Sequence, residues 1–595
     1  MGQSEEAKKR RNQIVVGIDF GSCGITFAYG FLDDPNNEVI QGKFESQGIN
    51  DKVSTEIILD EELKNVISFG NECANSLNTI GDKKYHHFKN IKMNLYKKNK
   101  NNKNNKDIYK IKANNSNKKV DIQYIITLIL KKVKENAIKQ IKQRYPYLSE
   151  NNIHWTITVP AIWEIKSKQI MINAAQDAGM IREDDDPSNF FALEPEAASI
   201  YYHYSKQGLK NEEMNSGKPF ILCDLGSGTA DIVTQRKVVI NNKITFAELN
   251  KPVGGDCGCN KINEQFIERV IIELFGKDCF EETKENICKS HYSDWFEFER
   301  KIEEFKKNYI KYEQQKQFFK IDCDIFKKFC KKELKELIDN FNSSHPSWKL
   351  KIDVNSWKIY FPFQIINDLM FELIEKIKKE YIVKIINSQS QQKDKIKTLL
   401  FTGGASSSPI LYNMLNDSKD LKKLGINNVI KAENPEVAIA YGSVYYSYDH
   451  YIISPRKAKF TFGIKSSDIW NDNIHKNGGI KVYDESDKIY RCKNAFTKFI
   501  TINSNLRPDT EISHRFLLNN SMAQVELYKT LKEDAIFSNE KGVEKFGEFI
   551  VDVKNKFDNS DKEVEVKMKL GGTFISASAI YCKTGDKFKI TCLYE

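Results

Sequence analysis

The sequence predicts an α/β protein in which two similar lobes are followed by a β-rich C-terminal region. One pattern occurs twice, about 205 residues apart: an apolar run ending in Asp-x-Gly-Ser, then a second apolar run. The copies are IVVGIDFGSCGITFAYGF (14–31) and PFILCDLGSGTADIV (219–233). Each is typical of a hairpin, because two buried strands flank a turn of small residues. The third observation is the change to short alternating segments after about residue 451.

Composition restricts the class of protein. The chain has 595 residues, 40% apolar and 29% charged, as expected for several globular domains. No stretch approaches the roughly 18–20 apolar residues of a membrane span, and residues 1–13 lack the apolar core of a secretory signal. The twelve cysteines, with 257 and 259 the nearest pair, show no zinc-like spacing and predict reduced thiols. We expect a cytoplasmic or nuclear protein without a membrane span.

The net charge of +10 is compatible with nucleic-acid binding. The basic excess is concentrated in the Lys- and Asn-rich run 97–119, which is typical of a solvated loop. Neither a zinc finger nor a basic–aromatic platform accompanies it. We therefore expect no nucleic-acid partner.

The remaining elements follow from periodicity. Residues 153–160 predict a buried strand closed by proline, followed by an amphipathic helix that ends near Gly179. Residues 397–404 predict a strand with a glycine turn, and a helix is expected to begin at Pro435. Between about 285 and 390 the pattern is long, polar and helical. After a boundary at Ser454-Pro455, period-two segments such as 563–570 predict an antiparallel sandwich.

The two glycine turns carry the strongest functional signal. The backbone N–H groups of residues 21–24 and 226–229 can face a polyphosphate, because glycine leaves no Cβ in the way. Asp19 and Asp224 would lie beside the phosphates, where carboxylates need a bridging cation; Mg²⁺ held largely through water is implied. Gly403 and Gly404 follow a third strand, and a Walker A loop is absent. Together these features predict a nucleotide site that is not a P-loop.

The same segments resemble a known superfamily. DFGSCG (19–24), DLGSGTAD (224–231) and TGGASSSP (402–409) resemble the phosphate-1, phosphate-2 and adenosine motifs of the actin-like ATPases. Within that superfamily, TVPAIW, LEPEAASIYY and NPEVAIAYG resemble the heat-shock 70 kDa chaperones. FKNIKMNLY (88–96) is similar to the atypical branch, the heat shock 70 kDa protein 12-like proteins.

The resemblance implies a fold class. Residues 14–450 would form a two-lobed actin-like ATPase domain with duplicated mixed-sheet α/β lobes, lobe I over about 14–215 and lobe II over about 216–450. Residues 456–595 would form a C-terminal antiparallel β-sandwich of the substrate-binding type. We expect no helical lid, because the sequence stops after the last predicted strand. HYIISPRKAKF replaces the family's acidic-leucine linker.

The resemblance also implies ATP or ADP with Mg²⁺ in the cleft between the lobes. Lys89 matches the lysine that orients the attacking water, with Lys92 as the alternative, and Glu194 matches the opposing carboxylate. Asp19 and Asp224 match the pair that organises Mg²⁺ and water, with Asp231 nearby. The residues implied for nucleotide binding are Gly21, Ser22, Cys23, Gly24, Gly226, Ser227, Gly228, Thr229, Gly255, Glu303, Lys306, Lys307, Gly403, Gly404 and Ser407.

The sequence departs from the family's motifs at two places, and two of the implied catalytic residues have an alternative role. Ser22 and Cys23 stand where the family usually carries threonines. Ser407 replaces an adenine-stacking arginine, a contact worth up to about tenfold in affinity. An ordinary surface ion pair is the alternative role for Lys89 and for Glu194.

The leading function is an ATP-binding, slowly ATP-hydrolysing chaperone-like protein whose β-domain contacts protein clients, with nucleotide-exchange co-chaperones as further partners. The alternative is a nucleotide-sensing scaffold that does not hydrolyse ATP. Sugar kinases share the core, but the sequence offers no sugar-site motif.

Overall fold

The computed structural model describes residues 14–590 except 33, 35–37, 46–51, 81–83, 97–108, 184, 241, 312–316, 354–355, 389–393, 486, 519 and 554–561. The chain forms two compact units. The first comprises Met1–Val233 and Pro252–Tyr448, and the second comprises Thr234–Lys251 and Asp449–Glu595. Most of the basic run 97–119 lies outside the described residues.

A mixed sheet opens the first unit. Its strand order is Phe191–Leu193, Ile153–Val159, Ile14–Phe20, Gly24–Phe31 and Val39–Gln41, with Val53–Ser54 pairing to Gly24–Phe31. Ile14–Phe20 is parallel to Ile153–Val159 and antiparallel to Gly24–Phe31, from Ile14↔Phe31 to Phe20↔Ile25. Every residue of Ile14–Phe20 is buried, as its continuous apolar run predicts for a central strand. The first predicted hairpin is confirmed.

A second mixed sheet repeats this arrangement. Its order is Asn428–Lys431, Thr398–Thr402, Phe220–Leu225 and Ala230–Ile240, with the first three parallel. Val253–Gly255 pairs antiparallel with residues 230–232. Each sheet therefore has a parallel edge, a parallel neighbour, a central strand and a hairpin partner in the same order. Two mixed sheets of this kind are consistent with two actin-like lobes, as the sequence repeat predicted.

Helices cover both sheets. The α-helices of the first unit are Glu72–Thr79, Ile91–Tyr96, Ile122–Arg144, Ile165–Asp177, Glu194–Tyr204, Lys206–Lys210, Glu212–Asn215, Asn260–Phe266, Ile272–Phe275, Lys277–Ser290, Tyr292–Lys311, Leu334–Ser344, Phe363–Ile377, Val383–Ser388, Pro409–Asn416, Lys419–Lys423 and Ala438–Tyr448. π-Helical turns occupy Ile267–Ile271 and Lys378–Ile382, and 3₁₀ turns occupy Glu150–Asn152, Pro187–Asn189, Asp324–Phe326 and Gly404–Ser407.

The helix Ala438–Tyr448 packs on the first sheet. Val15 of the central strand and Ala28 of its partner share a buried cluster with Ala440 and Val444. A Cβ on Gly442 would overlap the carbonyl oxygen of Ala197, so this helix crosses Glu194–Tyr204 at backbone contact. The last helix of the first unit thus closes the sheet with which the described chain begins.

Three predictions of local structure are wrong in detail. The segment 285–390 is not helical throughout, because Phe318–Asp322, Lys351–Asp353 and Lys358–Pro362 form a three-stranded sheet. The end of the run 97–119 is not a loop, because Lys110–Lys112 pairs with Lys119–Asp121. The helix expected from Pro435 begins at Ala438, since residues 435–437 form a turn. A further small sheet comprises Ile57–Asp60, Val66–Phe69 and Tyr85–Phe88.

The second unit is built from antiparallel sheets. One has the order Lys481–Asp484, Ile489–Ile500, Thr461–Ile469, Met522–Thr530 and Val543–Asp552, and the other Glu511–Leu517, Glu563–Lys569, Ser576–Tyr581 and Lys587–Ile590. Further elements are the paired strands Arg456–Lys457 and Asn505–Leu506, Lys243–Glu248 paired with residues 235–240, the helix Asp472–His475 and the 3₁₀ turn His450–Ile452.

The predicted alternation in this unit is confirmed, because Val564, Val566 and Met568 are buried on one face of their strand. Residues 591–594 of the last predicted strand lie outside the described residues. Within the described parts of both units, no helix has the length and hydropathy that crossing a bilayer requires.

Candidate functional site

A cavity of about 560 Å³ in the first unit is lined by both glycine loops. We name residues 21–24 loop A and residues 226–229 loop B. The sequence-predicted residues that line the cavity are Asp19, Gly21, Ser22, Cys23, Gly24, Lys92, Glu194, Asp224, Gly226, Ser227, Gly228, Thr229, Glu303, Lys306, Lys307, Gly403, Gly404 and Ser407. Lys89 and Gly255 lie outside this lining.

Loop A is a tight turn between two strands of the first sheet. The Gly21 amide donates to the Gly24 carbonyl at 3.1 Å, and the Thr55 hydroxyl donates to the Gly21 carbonyl at 2.7 Å. A Cβ on Gly21 would overlap the Gly24 carbonyl oxygen. The turn therefore requires glycine at position 21.

Loop B is held from outside by the segment 258–260. Inside the loop, the Gly226 amide donates to the Thr229 carbonyl at 2.9 Å. The amides of Gly258, Cys259 and Asn260 donate to carbonyls of loop B at 3.1, 3.0 and 2.7 Å. The Cys257-Gly258-Cys259 sequence thus supports loop B through its backbone. The cysteines of the described residues are free thiols.

The two loops face each other at close range. A Cβ on Gly228 of loop B would overlap the Ser22 hydroxyl of loop A and the Met93 sulfur. The Asn260 side-chain amide, from the segment that holds loop B, lies 3.2 Å from the Cys23 sulfur. Gly228 of loop B therefore lies against the Ser22 side chain of loop A, with the Met93 side chain beside it.

Buried carboxylates lie on the strands that lead into the loops. Burial, reinforced by the charges of Glu194, Asp231 and Asp19, raises the pKa of Asp224 well above its usual range. Its Oδ1 atom has no hydrogen-bond partner among the described residues. Burial also raises the pKa of Glu194 to about 7, although the Lys92 charge opposes this shift. Asp231 lies behind the lining, where its Oδ1 accepts from the Ile162 amide at 3.2 Å and burial raises its pKa.

Lysines pair with most of the cavity carboxylates. The Lys92 ammonium binds Glu194, and both side chains are buried. The Lys52 ammonium lies 2.7 Å from Asp19 Oδ2. Lys89 instead forms an ion pair with Glu299. The structure therefore brings Lys92, rather than Lys89, to the cavity.

The helix Tyr292–Lys311 contributes a second cluster. Lys306 Nζ lies 2.7 Å from Glu303 Oε2 and donates to the Cys259 carbonyl at 3.2 Å. Lys307 lies 3.5 Å from the same carboxylate and is largely exposed. This cluster joins the helix to the segment that supports loop B.

The third glycine turn lies against Asp224. Gly403 has φ +82°, and a Cβ there would lie 2.5 Å from Asp224 Oδ1 and from the Leu225 carbonyl oxygen. Only glycine suits both the positive φ and the close approach. The Ser407 hydroxyl donates to Glu436 at 3.4 Å. Apolar side chains of Met370, Leu411 and Ile439 also line the cavity.

Sequence reasoning missed Lys52, Asn71 and Glu436, which line the cavity as well. Lys52 precedes a strand of only two residues, which leaves no periodic pattern. The motif NPEVAIAYG predicts a helix at Glu436, whereas Glu436 lies in the turn before the helix.

The chain is similar in sequence to heat shock 70 kDa proteins 12A and 12B. Heat shock 70 kDa protein 12A of Mus musculus is 23% identical over 641 residues, which cover 97% of this chain and 91% of that protein. The Homo sapiens protein of the same name is 22% identical over the same shares. Heat shock 70 kDa protein 12B of Homo sapiens is 20% identical over 643 residues, 96% of this chain and 89% of that protein.

No protein-family model matches the chain. The chain is nevertheless similar to these relatives over nearly its whole length, which confirms the resemblance to the atypical 12-like branch that the motifs indicated.

Proposed function

We propose that the chain is an ATP-binding, slowly ATP-hydrolysing chaperone-like protein of the heat-shock 70 kDa type. The proposal rests on one observation: loop A and loop B line the same cavity, together with Asp19 and Asp224. The backbone amides of two glycine loops that share a cavity can bind one polyphosphate between them.

The domains follow from this proposal. Residues 14–450 form the actin-like nucleotide-binding domain, with lobes over about 14–215 and 216–450; of this range, residues 234–251 and 449–450 lie in the second compact unit. Residues 456–595 form a β-sandwich that contacts protein clients. The antiparallel sheets of the second unit support this assignment.

The nucleotide fits the chemistry of the lining. The glycine loops and the hydroxyls of Ser22 and Thr229 suit the phosphates. The lining also carries four lysines, each paired with a carboxylate, so a bound phosphate would compete with that carboxylate for the lysine: Lys52, Lys92, Lys306 and Lys307. Glu303 with Lys306 suits the ribose and base end. Ser407 offers no stacking surface there, so we propose weaker binding than an arginine would give.

The site also fits Mg²⁺ on the side of Asp224. A buried carboxylate oxygen without a partner costs about 1–3 kcal/mol, which an ion with its waters would relieve. Asp19 accepts from Lys52 instead. Among the described residues no group of three or more His, Cys, Asp or Glu is arranged to hold a metal ion, so we propose contact largely through water. When bound, Mg²⁺ would neutralise charge on the phosphate oxygens.

Hydrolysis is assigned to Lys92 and Glu194. In this proposal Lys92 orients the attacking water and stabilises phosphate charge, and Glu194 accepts the water's proton. Lys89 was the first choice from the sequence. Lys92 replaces it here because Lys92 lines the cavity and Lys89 is paired with Glu299.

A scaffold that senses nucleotide without hydrolysing it is the second candidate. Two observations favour it: Lys92 and Glu194 are bound to each other, and Ser407 stands in place of an arginine. Phosphate release above that of a Glu194→Ala variant separates the two candidates.

Thiol protection tests the nucleotide site directly. Cys23 is an exposed thiol in loop A, and Cys582 is an exposed thiol in the second unit. With N-ethylmaleimide and peptide mass spectrometry, we expect ADP at about four times its Kd or above to slow labelling of Cys23 by about fivefold or more, because protection of a contact residue scales as one plus the ratio of the ADP concentration to Kd. Labelling of Cys582 should not change. Equal labelling of Cys23 with and without saturating ADP would reject the proposed site.

A further inference from the structure

Lys52 is a cavity residue that no motif contains. Its side chain is 24% exposed, and its ammonium lies 2.7 Å from Oδ2 of the buried Asp19. Asp19 ends the central strand of the first sheet and is one of the two carboxylates expected to organise Mg²⁺. A lysine therefore holds the oxygen that a hydrated divalent ion would use.

The position of Lys52 is fixed by backbone contacts with loop A. Gly24 pairs with Ser54 and Ile25 with Val53, and the Thr55 amide donates to the Cys23 carbonyl at 3.3 Å. A Cβ on Gly24 would lie 3.0 Å from Lys52 Cβ and 3.3 Å from Lys52 Cδ. The aliphatic stem thus lies along the glycine backbone of loop A, and the ammonium emerges beside Asp19.

Carboxylates surround this ammonium. Asp19 binds it at 2.7 Å, and Asp224 and Glu436 line the same cavity. A second cation at Asp19 would meet this ammonium at close range in a partly buried site, where like charges repel more strongly than in water.

We propose that Lys52 is a built-in cation that takes the place of a divalent ion at Asp19 and contacts the nucleotide phosphates, so that nucleotide binding depends only weakly on Mg²⁺. The inference rests on the proposed nucleotide site. It assigns Lys52 as a binding residue and leaves Mg²⁺ only the side of Asp224. The cavity would thus bind ADP in the absence of divalent metal.

Two measurements on the full chain test this assignment. Calorimetry gives the ADP affinity in MgCl₂ and in EDTA, and electron paramagnetic resonance gives Mn²⁺ binding by the nucleotide-free protein. For the unmodified chain we expect less than about a threefold change in Kd between MgCl₂ and EDTA. This comparison needs no variant, so it holds even if a substitution at position 52 impairs folding.

Variants at position 52 then show whether the positive charge of Lys52, rather than its packing, is responsible for the effect. In Lys52→Gln we expect ADP binding at least about tenfold weaker in EDTA than in MgCl₂, and Mn²⁺ binding at least about fivefold tighter than in the unmodified chain, because Asp19 is released. Lys52→Arg keeps the charge and should behave like the unmodified chain. Lys84→Gln is the matched control, since Lys84 forms an exposed pair with Glu61 at 3.0 Å outside the cavity.

Each outcome decides one proposal. If the unmodified chain loses more than about tenfold in ADP affinity in EDTA, or Lys52→Gln binds Mn²⁺ no more tightly, the role of Lys52 is overturned and the nucleotide site stands. If ADP binds in neither buffer, the proposed function fails and this inference fails with it.

Discussion

Lys92 and Glu194 form a buried ion pair in the cavity. Both side chains are buried, and the nearby Asp224 keeps a carboxylate oxygen without a hydrogen-bond partner among the described residues. Burial holds the pKa of Glu194 at about 7, so this carboxyl changes its charge near neutral pH. A group with such a pKa can accept a proton from water and release it again.

This property predicts a pH dependence of phosphate release. Glu194 is mostly protonated at pH 6 and mostly ionised at pH 8, and only the ionised form accepts a proton. We therefore expect kcat/KM for ATP, which reports the pKa of the free protein, to rise by about tenfold from pH 6 to pH 8, with an apparent pKa near 7. Glu194→Gln should abolish the rise.

The two lysines serve as a matched pair of controls for that experiment. Lys92→Met should lose turnover, because it removes the cation beside Glu194. Lys89→Met should keep the profile, because Lys89 pairs with Glu299 outside the cavity lining. Loss of turnover in Lys89→Met alone would contradict the assignment of Lys92.

The sequence predicted most of the residues that line the cavity. It did not determine which of two neighbouring lysines lines the cavity, and it gave no signal for Lys52. Asp19 and Asp224 were found because each follows an apolar run and precedes glycine. Lys89 and Lys92 stand in one motif three residues apart, and only the turn of the helix Ile91–Tyr96 distinguishes them. Lys52 carries no signal at all, since a backbone pairing with loop A brings it to the cavity.

At the scale of elements, the crossing of two helices depends on one glycine. Gly442 lies in the middle of Ala438–Tyr448, and the Ala197 carbonyl of Glu194–Tyr204 occupies the space of its missing Cβ. This crossing positions Glu194, because Glu194 begins the helix that Gly442 contacts.

The variant Gly442→Ala therefore distinguishes the effect of helix propensity on stability from the effect of packing, because the two have opposite signs. Helix propensity alone predicts a gain of about 1 kcal/mol in the free energy of unfolding. The overlap with backbone predicts a loss of about 1–3 kcal/mol, and we expect the loss. Chemical denaturation monitored by circular dichroism measures it. Asn286→Ala, at an exposed helical position, should change stability little, and a stabilised Gly442→Ala would contradict the crossing.

Elements with strong periodicity were predicted, and elements set by tertiary pairing were not. Ile14–Phe20 and Thr398–Thr402 are continuous apolar runs with glycine turns. Phe318–Asp322 and Lys358–Pro362 are short and rich in lysine and aromatic residues. The helical pattern on either side of them therefore predicts helix for these segments as well. Their strand character comes from mutual pairing, which a local pattern does not contain.

At the scale of the molecule, the duplicated sheets place one glycine loop from each sheet at a common cavity. A nucleotide there should protect both loops from hydrogen exchange at the same time. With ADP at about 100 times its Kd, we expect roughly 100-fold slower exchange of the amides in loops A and B, equivalent to about 2.7 kcal/mol.

The strands of the second unit provide the reference in the same mass-spectrometric experiment. Glu563–Lys569 and Ser576–Tyr581 contribute no residue to the cavity lining, so their exchange should not change. Protection of loop A without loop B, or the reverse, would contradict a site shared by the two lobes.

The packing of Ala438–Tyr448 on the first sheet has a consequence for biosynthesis. Val15 and Ala28 meet their partners Ala440 and Val444 only after about 410 further residues have left the ribosome. At roughly 5–20 residues per second, this face of the nascent sheet stays uncovered for about 20–80 seconds. The first strands of the described chain are thus covered late, and the nascent chain exposes this small apolar face for that time.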